Sequence, residues 1–341
     1  MTQRSSASSN AGRFTHLITS HSDADAAYIR TPPDLLGVII DVDPAVWARK
    51  RNGLQLLRKA TQDVCVFLNA HSALRHDNCC AVYAAGRTNG NLIFSNTPSL
   101  SHANSLQSSL DANTYQPFKI IDDAVMSGVQ TALQDGKQDV ERPPSHGIVS
   151  SLAQCLCHIN RIGQLTSAAS GIEEDPKSSS AGAKANAGRG YKSRILVISA
   201  SPDSSSQYVA MMNCIFGAQK KGVTVDVCKI LGGQDSVFLQ QASHLTKGTY
   251  YRLDLVEGLL QTLMTTFLAS PAIRDQMRLP SNDDVDFRAA CFCHGRVVDV
   301  GYVCSVCLSI FCEPRDKCLT CRATFPKRTL QRFQEEQRTV S

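Results

Sequence analysis

The sequence predicts an α/β protein in which a doubly wound, mainly parallel sheet is followed by a small cysteine-rich module. Two apolar runs, 35–40 and 194–199, lack polar alternation and are rich in branched residues, as strands covered on both faces usually are. Segments with helical spacing alternate with further strand patterns between and after these runs, which is typical of a doubly wound sheet. Two C-x-x-C pairs near the end of the chain indicate the second module.

The predicted elements follow one another in a regular order. The first half contains strand 35–40, helix 54–73, strand 79–84, strand 91–94, helix 120–133 and helix 148–162. The turn signal Asn89-Gly90 joins the two adjacent strands of this half. The second half contains strand 194–199, helix 205–221, strand 223–228, helix 237–245, strand 248–251 and helix 255–267. Neither half has enough strands to bury a sheet of its own, so we expect one α/β domain.

Composition and linkers divide the chain further. Residues 1–31 are rich in Ser, Asn and Ala without periodicity, and we predict a disordered tail there. The α/β domain is expected over 32–275, with a flexible Ser/Ala/Gly-rich insertion at about 167–192. A four-cysteine zinc module over 286–325 and a basic tail over 326–341 complete the chain. The formal charge of +5 permits contact with nucleic acid without arguing for it.

The strongest chemical signal is a pair of C-x-x-C motifs, Cys304/Cys307 and Cys318/Cys321. Such pairs close a tetrahedral four-sulfur site with no open position for substrate, so the site is structural. Zn²⁺ is the expected ion, although a rubredoxin-type iron accepts the same geometry. Disulfides are the alternative. The Ser-rich N-terminus lacks the apolar segment of a secretory signal, and no apolar run approaches the ~18 residues of a membrane span, so we expect reduced thiols.

A second set of possible metal ligands lies before and between the two C-x-x-C pairs, and its spacing is a weaker signal for zinc. Cys291, Cys293 and His294 precede the C-x-x-C pairs, and Cys312 lies between them. Because a C-x-C pair holds zinc less readily than C-x-x-C, and because Cys312 lacks a partner thiolate, any second site is expected to be distorted. The sequence therefore favours a single zinc ion per chain.

Motifs for the common enzyme classes are absent from the sequence. There is no G-x-G-x-x-G, no G-x-x-x-x-G-K-[ST], no G-x-S-x-G and no H-E-x-x-H. The loops after the strands offer Asp41 and Asp43, and later Ser199, Ser201 and Asp203. These side chains are interpreted as caps of the helices that follow, with Pro44 in a first turn, rather than as catalytic or cation-binding groups. No catalytic residue is predicted.

Four segments carry a resemblance to a known family: 36–44, 194–199, 287–294 and 301–312. Over residues 33–325 the chain resembles the smaller von Willebrand A-type core subunit of the general transcription and DNA repair factor TFIIH. The resemblance implies a von Willebrand A-like domain that acts as a non-catalytic nuclear scaffold. Its implied partners are other TFIIH core subunits, chiefly the larger A-domain subunit with a RING-like module, and any DNA contact is indirect. The TFIIH roles implied are promoter opening for RNA polymerase II and nucleotide excision repair.

The resemblance also defines two departures from full sites. Metal-binding A-domains carry D-x-S-x-S after the first strand, where this chain has Asp41, Asp43 and Ala45. Because alanine has no side-chain oxygen, we predict that the crevice at the carboxyl end of the first strand binds no divalent ion. The cysteine module, in turn, is a remnant of a RING with an incomplete third ligand pair.

Two other functions remain open from the sequence. A RING-type ubiquitin ligase would use the same cysteines but needs two zinc ions and an apolar groove for its conjugating enzyme. A nucleic-acid-binding zinc ribbon would use the basic tail, but the chain lacks the clustered basic residues and interleaved aromatics of such proteins.

Overall fold

A computed structural model gives the fold of the greater part of the chain. The described residues are 32–97, 116–138, 147–169, 190–203, 207–232, 235–274, 276–279, 291–294, 298–307, 309–326 and 328. Most of the predicted tails, 1–31 and 326–341, and most of the predicted insertion lie outside them. Among the described residues, no helix combines the length and the apolarity needed to cross a membrane.

The centre of the protein is a six-stranded sheet in the order β3-β2-β1-β4-β5-β6. The strands are β1 (Asp34–Asp41), β2 (Cys79–Ala85), β3 (Gly90–Ser95), β4 (Lys192–Ser199), β5 (Thr224–Lys229) and β6 (Tyr250–Arg252). All neighbouring strands are parallel except the edge strand β3, which forms a hairpin with β2. The predicted doubly wound, mainly parallel sheet is therefore confirmed. The central strands are buried on both faces, which explains their unbroken apolar sequences.

Helices cover both faces of the sheet. In chain order they are α1 (Pro44–Ala48), α2 (Gly53–Leu74), α3 (Gln116–Gln138), α4 (Gly147–Ala169), α5 (Tyr208–Lys221), α6 (Val237–Leu245), α7 (Leu259–Thr262) and α8 (Pro271–Arg274). One apolar core joins one face of the sheet to α2, α3 and the α7 region, and a second joins the opposite face to α4, α5 and α6. Alternate residues of β1 supply the two cores, as the two-residue period of a strand requires.

Three predicted boundaries differ from the structure. At the ends of the insertion predicted at about 167–192, residues 167–169 belong to α4 and Lys192 to β4, and residues 170–189 lie outside the described residues. The last strand begins at Tyr250 rather than at residue 248, because the Thr249 N–H donates to the Asp226 side chain (3.0 Å). The helix predicted over 255–267 is divided into a 3₁₀ turn, the α7 turn and a π turn that ends at 267.

Two buried arginines close the end of that divided helix. Arg194 of β4 is 1% exposed, and its guanidinium donates to the successive carbonyl oxygens of 267–269. Arg274 of α8 donates to two of the same carbonyls and, at 2.7 Å, to Asp226 Oδ1 in β5. Asp34 lies 3.8 Å from Arg194 at the same end of the sheet. This network of opposite charges and carbonyl oxygens attaches the helical segment to strands β1, β4 and β5.

His71, in the last turn of α2, makes folding stability sensitive to pH. It is 1% exposed, and neither ring nitrogen has a hydrogen-bond partner among the described residues. Burial, assisted by the charge of Arg194, lowers the pKa of His71 from 6.5 to about 3. The unfolded chain therefore binds a proton below pH 6.5 that the folded chain does not bind, and stability falls as the pH falls through this window. The loss from His71 is expected to be about 2 kcal/mol between pH 8 and pH 5.

The test is to measure the free energy of urea unfolding for wild type and His71→Leu at both pH values. The variant is expected to lose about 2 kcal/mol less than wild type on acidification. Metal-bound thiolates also gain protons and release their ion on acidification, so the difference between the two proteins carries the test. His76→Gln, which removes a histidine whose side chain is 92% exposed, should behave as wild type. Equal acid sensitivity of wild type and His71→Leu would contradict the assignment.

Candidate metal centre

The C-terminal cysteines lie on loops around a two-stranded antiparallel ribbon. Its strands are β7 (Tyr302–Val303) and β8 (Ile310–Phe311). The hydrogen bond from Cys304 N to Ser309 O (2.9 Å) closes the first knuckle, and Cys318 N to Ala323 O (2.9 Å) closes the other. These tight turns present successive sulfurs to one point, which is how C-x-x-C pairs hold a metal.

The four sulfurs of the predicted site converge. Cys304 Sγ lies 3.7 Å from Cys321 Sγ, and Cys307 Sγ lies 3.5 Å from Cys318 Sγ. All four ligand atoms are within 4.8 Å of one another. A tetrahedral zinc with Zn–S bonds of about 2.3 Å separates its sulfurs by about 3.8 Å, so the spacing fits this ion. It does not fit disulfides, whose sulfurs are about 2.05 Å apart.

Polar groups contact the sulfurs at both knuckles. Ser309 Oγ lies 3.1 Å from Cys307 Sγ and 2.9 Å from Thr320 Oγ1. Contact with the side chain of Ser309, and secondarily with its backbone, lowers the pKa of the Cys307 thiol to about 6. The Cys321 N–H points to Cys318 Sγ at 3.5 Å. Donors around the sulfurs hold the ligands in place before the ion binds.

The second set of ligands is as compact as the first. Cys293 Sγ lies 3.3 Å from Cys312 Sγ, and His294 Nδ1 lies 3.2 Å from Cys312 Sγ. Cys291 Sγ is 4.0 Å from His294 Nδ1, and the four ligand atoms again lie within 4.8 Å of one another. Three sulfurs and one imidazole nitrogen form a set typical of structural zinc. The residues present therefore fit a second ion, although the sequence favoured one.

The two sets interleave along the chain. Cys291, Cys293 and His294 lie with Cys312 in one set. The other set joins the pair Cys304 and Cys307 to the pair Cys318 and Cys321. The alternation resembles the cross-brace expected of a RING remnant. His294, which is adjacent to Cys293 in sequence, supplies the fourth ligand atom of the second set. The sequence named all eight residues, and it gave Cys291, Cys293, His294 and Cys312 only as a possible, distorted second site; the structure brings their four ligand atoms within 4.8 Å of one another.

An aromatic side chain between two of these ligands contacts the α/β domain. Phe292 lies edge-on to Tyr208 of α5, with ring centroids 5.4 Å apart, and Tyr208 in turn lies 5.3 Å from Phe238 of α6. Phe292 also lies 6.4 Å from Phe311 within the cysteine module. The metal-binding loop is thus joined to the second face of the sheet through a continuous aromatic contact.

In the crevice at the carboxyl ends of the strands, Asp41 and Asp203 do not cap the helices that follow them, although the sequence predicted that they would. Asp41, 2% exposed, accepts hydrogen bonds from the backbone N–H groups of Asp43 (3.2 Å), Ala200 (2.9 Å) and Ser201 (2.6 Å). It therefore ties the end of β1 to the loop after β4 rather than capping a helix. Likewise, Asp203 accepts from the Phe238 N–H (3.1 Å) and from Ser236 Oγ, so it contacts the start of α6 and not the helix that follows it in sequence.

The crevice residues do not fit a divalent ion. Asp43 caps α1 by accepting from Ala45 N (3.0 Å), as predicted, and pairs with Arg87 (3.4 Å). Both oxygens of Asp41 already accept backbone hydrogen bonds. Ala45 has no side-chain oxygen. A divalent site needs several free oxygen ligands, and this arrangement does not offer them.

Comparisons with known proteins decide the family. The family model of transcription factor Tfb4 matches residues 33–322. The chain belongs to the Tfb4 family. This match confirms the resemblance identified from the four sequence segments, and it covers both the sheet and the cysteine module.

Individual members are similar over most of their length. The general transcription and DNA repair factor IIH subunit tfb4 of Schizosaccharomyces pombe is 37% identical over 293 residues, 86% of this chain and 89% of the relative. Subunit TFB4 of Arabidopsis thaliana is 34% identical over 293 residues, 85% and 88% of the two chains. The solved N-terminal domain of TFIIH p34 has a TM-score of 0.53 and 28% identity, and it covers 69% of this chain and 97% of that one. The predicted mainly parallel α/β sheet is thus found in a chain whose fold is similar to that of a solved TFIIH subunit domain.

Proposed function

We propose that this chain is a non-catalytic scaffold subunit of the TFIIH core complex in the nucleus. It would act in transcription initiation by RNA polymerase II and in nucleotide excision repair. The observation that carries the proposal is the Tfb4 family match over 33–322, since the curated relatives are named as general transcription and DNA repair factor IIH subunits. The engagement of Asp41 and Asp43 in structural hydrogen bonds supports a non-catalytic role.

The cysteine module would bind two zinc ions in this role. Cys304, Cys307, Cys318 and Cys321 would hold one ion, and Cys291, Cys293, His294 and Cys312 would hold the other. Zinc bound by four protein ligands is structural, so it would fix the loops rather than take part in a reaction.

The surface of this module suits contact with a protein partner. Val306 and Leu319 lie within the two C-x-x-C knuckles and are 69% and 56% exposed. Val303 of β7 and Val300 are also exposed. Apolar side chains presented by a metal-fixed loop lose little conformational entropy when a partner covers them. We propose that these four residues, the knuckle surface, bind the larger A-domain subunit.

Co-expression with the larger A-domain subunit tests the proposal. Wild type should purify as a stable pair, and the Val306→Asp/Leu319→Asp variant should bind at least about tenfold more weakly, because a carboxylate is buried in place of an apolar contact. Phe216→Asp, which changes a 53% exposed residue of α5, is the matched control and should bind as wild type. Failure of wild type to form the pair would contradict the scaffold assignment. A normal pair with the double variant would exclude the knuckle surface as the contact.

The same purified protein separates the rival functions. A RING-type ligase would build ubiquitin chains when supplied with activating and conjugating enzymes, whereas the scaffold proposal predicts no chain formation. A nucleic-acid-binding ribbon would bind duplex DNA with an affinity that falls steeply with salt. The scaffold proposal predicts no such binding by the isolated chain.

A further inference from the structure

A buried lysine lies at the carboxyl end of the sheet, in the crevice that holds Asp41. Lys229 is the last residue of β5 and is 2% exposed. Its Nζ donates to the carbonyl oxygen of Ser201 and lies 3.5 Å from Ser199 Oγ. An ammonium group is rarely buried to this extent unless its charge is compensated, so the crevice must supply negative charge or oxygen dipoles to it.

The Lys229 charge is compensated through residues 199–201, a loop that both Asp41 and Lys229 contact. Residues 199–201 connect β4 to the next segment. The Asp41 carboxylate accepts their N–H groups from the β1 side, and the Lys229 ammonium binds their oxygens from the β5 side. Burial lowers the pKa of Lys229, whereas the charges of Asp41, Asp203 and Asp235 oppose this effect. Carboxylate, loop and ammonium thus form one connected unit across three parallel strands.

We propose that the Lys229 ammonium is the permanent cation of this crevice. It supplies the positive charge that a divalent ion supplies in metal-binding domains of this fold. Two observations support the view that the Lys229 side chain replaces a divalent ion here. The metal ligand set is incomplete at Ala45, and the second carboxylate, Asp43, is paired with Arg87. Asp43 therefore has Arg87 as its counterion, and Asp41 and Lys229 bind the same loop, Asp41 at its N–H groups and Lys229 at its oxygens.

With Lys229 as its cation, the crevice should be insensitive to chelators and to dissolved divalent ions. A covalently attached cation cannot be removed by a chelator or exchanged with the surrounding ions. The three strand ends should remain fixed at any Mg²⁺ concentration. The inference is independent of the proposed scaffold function, because it concerns the stability and ion response of the α/β domain alone.

A double-mutant cycle on the full chain tests the proposal. Lys229→Met removes the charge and keeps most of the side-chain volume. It is expected to lower Tm by about 10 °C, since it leaves the buried Ser201 carbonyl oxygen without its donor and removes the positive charge near Asp41. In the Asp41→Asn background, the same substitution should lower Tm by less than half as much. Lys220→Met, at an exposed position of α5, is the matched control and should leave Tm unchanged within about 1–2 °C. Equal Tm losses in the two backgrounds would overturn the proposal.

A second measurement uses Mn²⁺ as the probe and needs no variant that removes the lysine. Added Mn²⁺ should leave the Tm of wild type unchanged, because the ammonium already supplies the positive charge of the crevice. A saturable rise in the Tm of wild type that is absent in Asp41→Asn would overturn the proposal, because the crevice would then hold an ion in the presence of the lysine.

Discussion

Replacing Cys318 with serine is expected to release zinc and to unfold the C-terminal module. Cys318 is 2% exposed, and its sulfur lies 3.5 Å from Cys307 Sγ in the four-cysteine set. Serine keeps the shape of the side chain but is not ionised at neutral pH, so the tetrahedral site loses one of its four anionic ligands. Zinc contributes on the order of 10–16 kcal/mol to the folding of small zinc-dependent peptides, and the apolar cluster of this module is too small to replace that contribution.

Elemental analysis and limited trypsin digestion measure the two effects. Wild type should contain two zinc ions per chain, and Cys318→Ser should lose at least one. Cleavage after Arg315, Lys317 and Arg322 should become rapid in the variant, because these sites lie within the module. Cys157→Ser, at an exposed cysteine of α4 outside both ligand sets, should match wild type in both assays. Unchanged zinc content and protease resistance in Cys318→Ser would contradict the site.

The companion variant Cys293→Ser decides between one and two ions. With two sites it should lose zinc as Cys318→Ser does. With the single zinc that the sequence favoured, it should retain full zinc content. The sequence could not distinguish these outcomes, because the spacing of Cys291, Cys293 and His294 along the chain is not a usual zinc spacing. Only the ribbon of β7 and β8 brings these residues to Cys312.

The fold was largely predictable because its signals are local. An unbroken apolar strand such as β1 indicates burial on both faces wherever it occurs, and the Asn89-Gly90 turn indicates the β2–β3 hairpin. The cap at Asp43 was predictable for the same reason, since an Asp before Pro at a helix start acts within one turn.

The tertiary roles were not predictable, because they depend on residues distant in sequence. Asp41 was interpreted as a helix cap, but its oxygens accept from Ala200 and Ser201, about 160 residues away. Lys229 and Asp226 lie in a strand whose apolar pattern gave no reason to expect a buried charge. Parallel strands bring their ends together from remote parts of the chain, so the contents of the crevice follow from strand order and not from any single motif.

Replacing Asp226 with asparagine is expected to destabilise the α/β domain by about 3–5 kcal/mol, the effect of leaving one partner of a buried ion pair alone. Asp226 is fully buried in β5, and its Oδ1 accepts from Arg274 Nη1 (2.7 Å) and from Thr249 N (3.0 Å). Asparagine is isosteric, so the volume of the core does not change. The Arg274 guanidinium, however, would remain buried without a counterion, beside the second buried cation Arg194.

Urea unfolding of the full chain at neutral pH measures the loss. The exposed pair of Arg252 and Asp254 (3.5 Å) provides the control, since Asp254→Asn should cost less than about 1 kcal/mol. Adding Arg274→Met to Asp226→Asn should recover part of the stability, because the uncompensated charge is removed. The recovery is expected to be incomplete, since Arg274 also donates to the carbonyl oxygens of Phe267 and Ala269 at the end of the divided helix. A loss below about 1 kcal/mol for Asp226→Asn would mean that the carbonyl contacts, rather than the ion pair, hold this segment to the sheet.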